Sequence, residues 1–200
     1  MSLSRNQIIS QLKEIDLTGK SVLDVGSGKK TKQARDYTKG EPKKYVTLDI
    51  NKEVEPDIVA DLNKDVWLPD LCIQINFLTT FKFDIVFCLE TLEHCWRPIN
   101  AIRVLYDALK PNGTCYISVP FINPIHDEHD MLRFTDEWFE RVLPIVGFRS
   151  IEVKRRVATK GLDDLMSFYK KESMKFSKVR IKRDESYKLA DIGYWVVAKK

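Results

Sequence analysis

Two glycines and two aspartates near the amino terminus have the types and the spacing of a nucleoside site. The sequence reads Ser-Val-Leu-Asp-Val-Gly-Ser-Gly over 21–28 and Tyr-Val-Thr-Leu-Asp over 45–49. Gly26 and Gly28 let the backbone turn sharply and approach a ligand that a Cβ atom would exclude. Asp49 ends the second apolar run, where its carboxylate can accept hydrogen bonds from both ribose hydroxyls. The pattern therefore predicts a nucleoside bound at the ends of two neighbouring strands.

Spacing distinguishes this loop from two other glycine-rich loops. A P-loop has a glycine five residues before its last glycine and Lys-Ser/Thr after it. Leu23 occupies the first of those positions, and Gly28 is followed by a lysine pair at 29–30. A dinucleotide fingerprint needs Gly or Ala as its sixth residue for close helix packing, and Thr31 stands there. The remaining Asp-x-Gly-x-Gly pattern indicates a nucleoside without a pyrophosphate.

Three further motifs follow the glycine loop in order. They are Val-Ala-Asp-Leu at 59–62, Phe-Asp-Ile-Val-Phe-Cys-Leu-Glu-Thr-Leu-Glu-His at 83–94, and Leu-Lys-Pro-Asn-Gly at 109–113. Together with the loop they resemble the class I S-adenosylmethionine-dependent methyltransferases from about residue 21 to residue 148. The family loop usually has a third glycine, and this chain has Lys30 at that position.

This resemblance implies S-adenosylmethionine as cofactor, with S-adenosylhomocysteine as the product. The implied cofactor-binding residues are Asp24, Gly26, Ser27, Gly28, Asp49, Ile50, Asp61, Leu62, Cys88, Leu89 and Glu90. Asp24 is expected to hold the loop through backbone N–H groups, and Asp61 either contacts adenine N6 or serves only as a turn residue. Either Glu90 or Glu93 faces the sulfonium, or both are simply exposed.

The segment after the predicted fifth strand holds the candidate catalytic residues His126, Asp130 and Arg133. It resembles a methyltransferase subgroup with Pro-Phe, a His and Asp-x-x-Arg-Phe-Thr at this place, often linked to sugar or cell-surface polymer modification. Two roles stay open for His126, a general base or a histidine that bonds loop backbone. Asp130 and Arg133 lie one helical turn apart, which favours a pair that fixes the loop over direct chemistry. Thr135 is predicted to cap the next helix.

The same segment has ligand types that suit a metal ion. His126 and His129 have the His-x-x-His spacing of a chelate, and Asp127 and Asp130 are adjacent to it. No histidine or cysteine elsewhere in the sequence completes a set, since His94 belongs to another predicted loop. We therefore expect no metal.

Length and composition predict one globular domain over residues 1–200. Two hundred residues, 44% of them hydrophobic and 31% charged, suit a single core. No apolar run approaches the roughly 18 residues of a membrane span, and the amino terminus lacks a signal peptide's apolar core. The four cysteines form no Cys-x-x-Cys pair and are expected to be reduced thiols, which favours a cytoplasmic protein.

Alternating strands and helices predict an α/β fold, doubly wound, with a mostly parallel seven-stranded sheet, helices on both faces and an antiparallel last strand. An amino-terminal helix occupies 1–18, the cofactor-binding core 19–150, and closing strands with a basic insertion 151–200. Predicted helices cover 4–15, 98–110, 136–146 and a short stretch at 162–171. Predicted strands cover 21–25, 44–49, 57–60, 83–88, 114–119, 148–156 and 192–199.

The basic charge is concentrated in the last quarter of the chain. Residues 151–200 hold 14 Lys and Arg against 7 Asp and Glu. A solvated face is the favoured explanation, and a patch for an anionic substrate is the alternative. We expect methyl transfer to an oxygen or nitrogen of a small-molecule acceptor, with a sugar or nucleotide-sugar among the candidates. An RNA or DNA methyltransferase is less favoured, because the sequence lacks an Asn/Asp-Pro-Pro-aromatic motif; a catalytically silent binding module also stays open.

Overall fold

The computed structural model describes residues 3–64, 81–122, 129–158 and 190–200. Seven strands form one sheet in the order β3-β2-β1-β4-β5-β7-β6. The strands are β1 (Ser21–Val25), β2 (Lys44–Asp49), β3 (Ile58–Val59), β4 (Phe83–Leu89), β5 (Leu109–Pro120), β6 (Ser150–Ala158) and β7 (Ala190–Lys199). The first five pair in parallel, whereas β7 is antiparallel to both of its neighbours. The predicted fold class is confirmed.

Helices cover both faces of this sheet. The α-helices are α1 (Leu3–Leu12), α2 (Pro98–Ala108) and α3 (Asp136–Val146), with short 3₁₀ helices at Ala34–Tyr37, Lys52–Val54 and Leu92–His94. One hydrophobic cluster packs α2 and α3 against one face and includes Val86. A second cluster packs α1 against the other face and includes Phe87. Neighbouring residues of β4 therefore enter different cores, as the alternation of side chains along a strand requires.

The sheet reverses its winding direction between β1 and β4. From β1 the chain builds outward through β2 to β3, and it then returns to add β4 on the other side of β1. The connections that leave two such strands diverge at their carboxyl ends and open a crevice, the usual ligand site of this architecture. The glycine loop after β1 and the turn after β4 flank this crevice.

Several element boundaries differ from the predicted ones. The helix expected to run to Lys110 ends at Ala108, and β5 begins at Leu109 because that residue is fully buried and pairs with Phe83. The turn expected at 111–113 thus becomes an irregularity inside the strand. The amino-terminal helix ends three residues early, and the strand predicted at 57–60 is only two residues long.

Some predictions fall on residues outside the described ranges. They include the short helix at 162–171, most of the basic segment, one of the four cysteines (Cys72), His126 and Asp127. The other three cysteines are buried free thiols. Within the described ranges, every helix is too short or too polar to cross a bilayer.

Thr135 caps α3 as predicted, since its Oγ1 accepts a hydrogen bond from the Trp138 N–H at 3.3 Å. Thr135→Ala should lower the free energy of unfolding by about 1 kcal/mol, because it leaves a helix-end donor without this acceptor. Urea unfolding measures the loss. Thr135→Ser keeps the oxygen and is the control; an alanine variant as stable as the serine variant would contradict the prediction.

Candidate active site

Two cavities lie side by side at the carboxyl ends of the central strands. The first, here called the β2 cavity, has a volume of about 410 Å³, and its lining includes Gly26, Gly28, Asp49, Asp61, Leu62 and Glu90. The second, here called the α1 cavity, has a volume of about 440 Å³, and its lining includes Ile8, Asp24, Gly26, Ser27, Leu89 and Glu90. Gly26 and Glu90 line both cavities, so a ligand that fills both must pass these two residues.

The glycine loop adopts a conformation that other residues resist. Gly26 has a φ of +67°, and a Cβ atom there would lie 2.1 Å from the Thr91 Oγ1. Gly28 also has a positive φ, +61°, but a Cβ atom there would meet no atom within 4 Å. The first glycine is therefore required by both backbone conformation and packing, and the second by conformation alone.

Asp49 ends β2 beside this loop. Its Oδ2 accepts a hydrogen bond from the Gly28 N–H at 2.9 Å, and its Oδ1 accepts one from the Asn51 N–H at 2.9 Å. A carboxylate has about four lone-pair positions, so these two bonds leave acceptor capacity for two hydroxyl groups. Asp49 thus lies at the predicted place, in the lining of the β2 cavity. Its contact with a ribose stays a prediction.

The far wall of the β2 cavity combines a turn with two apolar side chains. Asp61 accepts a hydrogen bond from the Asn63 N–H at 2.9 Å, so it has the turn role considered for it. Leu62 is nearly buried, whereas Ile50 is 63% exposed at the rim. An apolar wall beside an acid suits a purine ring with an exocyclic amine, and the adenine contact of Asp61 stays a prediction.

Asp24 precedes the glycine loop, and the hydrogen-bond partners of its carboxylate lie outside residues 26–28. Its carboxylate is almost fully buried, accepts a hydrogen bond from the Tyr45 hydroxyl, and accepts a second from the Ala34 N–H at 3.3 Å. Burial raises the pKa of Asp24 to about 6 against these hydrogen bonds, which lower it. The carboxylate therefore ties β1 to β2 and to the segment after the loop, and it also lines the α1 cavity.

Cys88 and Leu89 are adjacent in β4 but face opposite sides. Leu89 lines the α1 cavity, and its contact with the cofactor stays a prediction. Cys88 instead lies wholly in the core that α2 and α3 cover, and its side chain lines neither cavity. Burial raises the pKa of its thiol well above the ordinary value. Cys88 lies on the same face of the sheet as Val25 and Leu48, which line the β2 cavity, but its side chain is packed inside the core. A contact of Cys88 with the cofactor stays a prediction.

The loop before α3 is fixed by the predicted ion pair. The Arg133 guanidinium donates two hydrogen bonds to the Asp130 carboxylate, one of them from Nη2 at 2.8 Å, and the Asp130 side chain is fully buried. The Met131 and Leu132 N–H groups both donate to the Glu93 carbonyl at 3.1 Å. The expected pair is thus formed inside the loop, and the two backbone bonds hold the loop on the turn after β4. That the pair is structural rather than chemical in its role stays a prediction.

His126 lies outside the described residues, so its two roles stay predictions. His129 does line the β2 cavity, and its carbonyl oxygen lies 3.1 Å from the His94 Nδ1. Across the described ranges, no three His, Cys, Asp or Glu side chains are grouped as metal ligands would be.

Glu93 is a fully buried carboxyl group between these two loops. Within the described ranges, neither of its carboxyl oxygens has a hydrogen-bond partner. Burial, reinforced by the nearby charges of Glu90 and Asp130, raises the pKa of Glu93 to about 8. The group is therefore a neutral carboxylic acid at pH 7.

Comparisons with known proteins decide the family. Residues 4–167 match the family described as "Methyltransferase domain". The chain belongs to this family. The class I resemblance inferred from the sequence motifs is thereby confirmed, as is S-adenosylmethionine as the family's cofactor.

Individual relatives of this methyltransferase domain are distant. A ubiquinone biosynthesis O-methyltransferase of Haemophilus ducreyi is 29% identical over 141 residues, which cover 67% of this chain and 58% of the relative. The chain therefore spans little more than half the length of that relative. A S-adenosylmethionine-dependent methyltransferase from Archaeoglobus fulgidus has a similar structure, with a TM-score of 0.61, 14% identity, and coverage of 98% of this chain and 95% of that one.

A third similar protein carries the cofactor. The phosphoethanolamine N-methyltransferase 2 of Haemonchus contortus, in complex with S-adenosylmethionine, has a TM-score of 0.56 and 16% identity and covers 98% of this chain and 52% of its own. The methyltransferase domain described here has residues that fit such a ligand. Asp49 lines the β2 cavity, and Gly26 and Glu90 line both cavities, so the two cavities are adjacent at these residues.

Sequence reasoning missed part of this methyltransferase site. Arg5, Ile9, Lys32 and Tyr37 line the α1 cavity, and Thr91 lines the β2 cavity. Of these residues only Ile9 had a signal, since it belongs to the apolar stripe of the helix predicted over 4–15. The stripe could not show that this helix also forms the wall of a cavity.

The buried Glu93 makes the stability of the methyltransferase domain depend on pH. Its folded pKa of about 8 exceeds the ordinary value of 4.5, so the folded chain keeps a proton that the unfolded chain releases between these pH values. Stability therefore falls as pH rises from 4.5 to 8. Glu93→Gln removes this contribution. When the pH is raised from 5.5 to 8.5, the free energy of unfolding of the variant should therefore fall by roughly 2–5 kcal/mol less than that of the wild type.

Urea unfolding at the two pH values measures this difference. Other titratable groups, such as Asp24, contribute equally to the pH dependence of both proteins, so their contributions cancel. Glu140→Gln, an exposed acid of α3, serves as the control and should leave the pH dependence unchanged. Equal pH dependence in wild type and Glu93→Gln would contradict the assignment of Glu93 as a neutral acid.

Proposed function

We propose that this chain transfers the methyl group of S-adenosylmethionine to a hydroxyl oxygen of a small-molecule acceptor, with an amine nitrogen as the second choice. The observation that carries the proposal is the pair of cavities that meet at Gly26 and Glu90. One cavity suits an adenosyl group, and the other leaves room for the amino-acid end of the cofactor and for an acceptor. The O-methyltransferase names of the relatives favour oxygen.

The residues would share the binding of the cofactor as follows. Asp49 would hold the sugar, and Asp61 and Leu62 would border the base. Ser27 and Asp24 lie in the α1 cavity, where the amino-acid end would bind. When bound, the cofactor would supply a methyl group: the acceptor oxygen would form a bond to the methyl carbon, the carbon–sulfur bond would break with both electrons staying on sulfur, and the hydroxyl proton would pass to a general base, the role considered for His126. The chain's own part is to align the acceptor, a contribution of roughly 7–11 kcal/mol in well-oriented systems.

The α1 cavity indicates the chemistry of the acceptor. Ile8, Ile9 and Leu89 give it an apolar wall, and the side chains of Arg5 and Lys32 add positive charge. The lining also holds the acids Asp24 and Glu90, but in the proposed arrangement these two face the cationic groups of the cofactor, which leaves Arg5 and Lys32 for the acceptor. This lining favours an acceptor with an apolar ring or chain and an anionic group. It does not favour a polyhydroxylated sugar, although a sugar or nucleotide-sugar acceptor was expected from the subgroup resemblance.

Calorimetry with S-adenosylmethionine and a methyl-transfer assay test the proposal together. The methyl donor is isotope-labelled, and the acceptors are hydroxylated aromatic acids, aromatic amines and free sugars. We expect cofactor binding and label transfer to the hydroxylated aromatic acids. Binding without transfer to any acceptor would favour the silent module, and absence of binding would overturn the proposal.

A catalytically silent binding module is suggested by Lys30, which stands where the family usually has a glycine. The Lys30 ammonium pairs with Glu55 at 2.7 Å, both side chains are exposed, and Lys30 lines neither cavity. The substitution therefore leaves the proposed cofactor site open, which supports an active enzyme.

A nucleic-acid substrate is the less favoured alternative, and the described part of the basic segment argues against it. Lys154 pairs with Glu152 at 3.4 Å, and Arg155 pairs with Asp136 at 2.9 Å. These cations are partly neutralised by neighbouring acids, which reduces their attraction for phosphates. We therefore expect no retention of RNA or double-stranded DNA on the purified chain at 50 mM salt. Retention that weakens steeply toward 200 mM salt would support the alternative.

A cytoplasmic location accords with the proposed small-molecule substrate and stays part of this proposal.

A further inference from the structure

Arg156 is a buried arginine on β6, although the sequence places it in a run of basic residues. Only 3% of it is exposed. Its Nη2 lies 2.7 Å from the Glu90 Oε1, and the same nitrogen donates a hydrogen bond to the Val119 carbonyl. A buried guanidinium is costly unless it is paired, so its place on the strand is a specific feature of this fold.

Two features of the hairpin make room for this guanidinium. Gly193 of β7 lies directly opposite Arg156, and a Cβ atom there would come within 2.2 Å of the Arg156 Nη2. The register of the two strands also shifts between Arg156 and Val157. Such irregularities redirect side chains, and a strand glycine permits close approach of another group. The guanidinium thus reaches β5 and the turn after β4.

The residue that Arg156 contacts is held at the meeting point of the two cavities. Glu90 has a positive φ of +48°, uncommon for a residue with a side chain. Its N–H donates to the Ser118 carbonyl at 2.9 Å and contacts the Ser118 Oγ at 3.2 Å. Strand β5 therefore fixes the Glu90 backbone, and Arg156 on β6 fixes its carboxylate.

Asp24 lines the α1 cavity and Asp49 the β2 cavity, whereas the two acids packed nearest the turn of Glu90 cannot present a negative charge to both cavities. Asp130 is fully buried and bonded to Arg133. Glu93 is fully buried and holds its proton at pH 7, because its pKa is raised to about 8. Of the three acids Glu90, Glu93 and Asp130, Glu90 is the one that lines both cavities.

We infer that Arg156 is a positioning residue that holds the Glu90 carboxylate toward the cationic centre of bound S-adenosylmethionine. The inference rests on the proposed function, because it requires the cofactor to pass from the β2 cavity to the α1 cavity. Its consequence is selective affinity. The methyl donor, whose sulfur is cationic, is bound more tightly than the product S-adenosylhomocysteine, whose sulfur is neutral, and the weaker binding helps the product to leave.

The test compares the dissociation constants of these two nucleosides by calorimetry, so it needs no acceptor. Glu90→Gln should weaken binding of the methyl donor about tenfold and binding of the product less than twofold. Arg156→Met and Gly193→Ala should shift the ratio of the two dissociation constants in the same direction as Glu90→Gln, since Arg156→Met removes the guanidinium and Gly193→Ala displaces it. Arg156→Lys keeps the charge and should retain more of the preference than Arg156→Met.

Arg155→Gln is the matched control, because it removes the neighbouring arginine, which pairs with Asp136 on the outside of the domain. It should leave the ratio unchanged. Circular dichroism establishes which variants fold, and if Arg156→Met does not, the comparison of Arg156→Lys with Glu90→Gln decides. Folded Arg156 variants with the wild-type ratio would overturn the inference while cofactor binding itself persists. A wild-type chain that binds neither nucleoside would overturn the proposed function instead.

Discussion

Asp49→Ala is expected to weaken S-adenosylmethionine binding by about 100-fold. The carboxylate lines the β2 cavity and can accept two further hydrogen bonds, and hydrogen bonds to a charged group contribute roughly 1.5–3 kcal/mol each. A loss of about 3 kcal/mol corresponds to this change in the dissociation constant. Calorimetry with the cofactor measures it.

The same carboxylate also accepts the Gly28 and Asn51 N–H groups, so a loosened loop must be distinguished from a lost ribose contact. The 2′-deoxyribose form of S-adenosylhomocysteine makes this distinction. The wild type should bind it at least tenfold more weakly than the natural product, and Asp49→Ala should bind both equally. Asp49→Asn keeps the shape and one acceptor and should fall between the two. A preserved preference in Asp49→Ala would contradict the ribose assignment.

Gly26→Ala is expected to abolish measurable cofactor binding and to destabilise the domain by more than about 2 kcal/mol. A left-handed backbone costs a residue with a Cβ roughly 1–2 kcal/mol. At Gly26 the new methyl group would also lie within 2.1–2.8 Å of three Thr91 side-chain atoms, so the turn after β4 must move. That turn and the glycine loop form both cavities.

Gly28→Ala is the matched control for stability. Its φ is similarly positive, but its Cβ would enter open space. It should therefore cost only the conformational contribution, and urea unfolding of the two variants measures the difference directly. Equal destabilisation by both substitutions would show that contact with Thr91 does not constrain the loop.

Much of the fold was predictable because its signals are local. The strands at 21–25, 44–49 and 83–88 are short apolar runs bounded by turn residues, and Thr135 has the chemistry of a helix cap at the expected spacing. The boundary after α2 was less predictable. A Pro-Asn-Gly sequence normally ends an element, yet burial of Leu109 against β4 extends the strand through it.

The candidate site was predictable from the sequence at positions where the type of a single residue indicates its conformation or its place. Glycines at 26 and 28 favour a particular backbone conformation. Asp49 ends a strand, and the carboxyl end of that strand lies beside the glycine loop. Cys88 shows the limit of such reasoning, because its position in the motif did not show that its side chain enters the core.

By itself, then, the sequence indicated the family, the succession of strands and helices along the chain and the glycine loop after the first strand, since backbone preference and hydrophobic periodicity act between near neighbours. Only the tertiary structure decided which charges are buried. Arg156 meets Glu90 across 66 residues of chain, and Glu93 loses all solvent where the loop at 129–135 lies on the turn after β4. Desolvation and ion pairing depend on surroundings in three dimensions, so a basic run in the sequence cannot distinguish a solvated arginine from one held inside the fold.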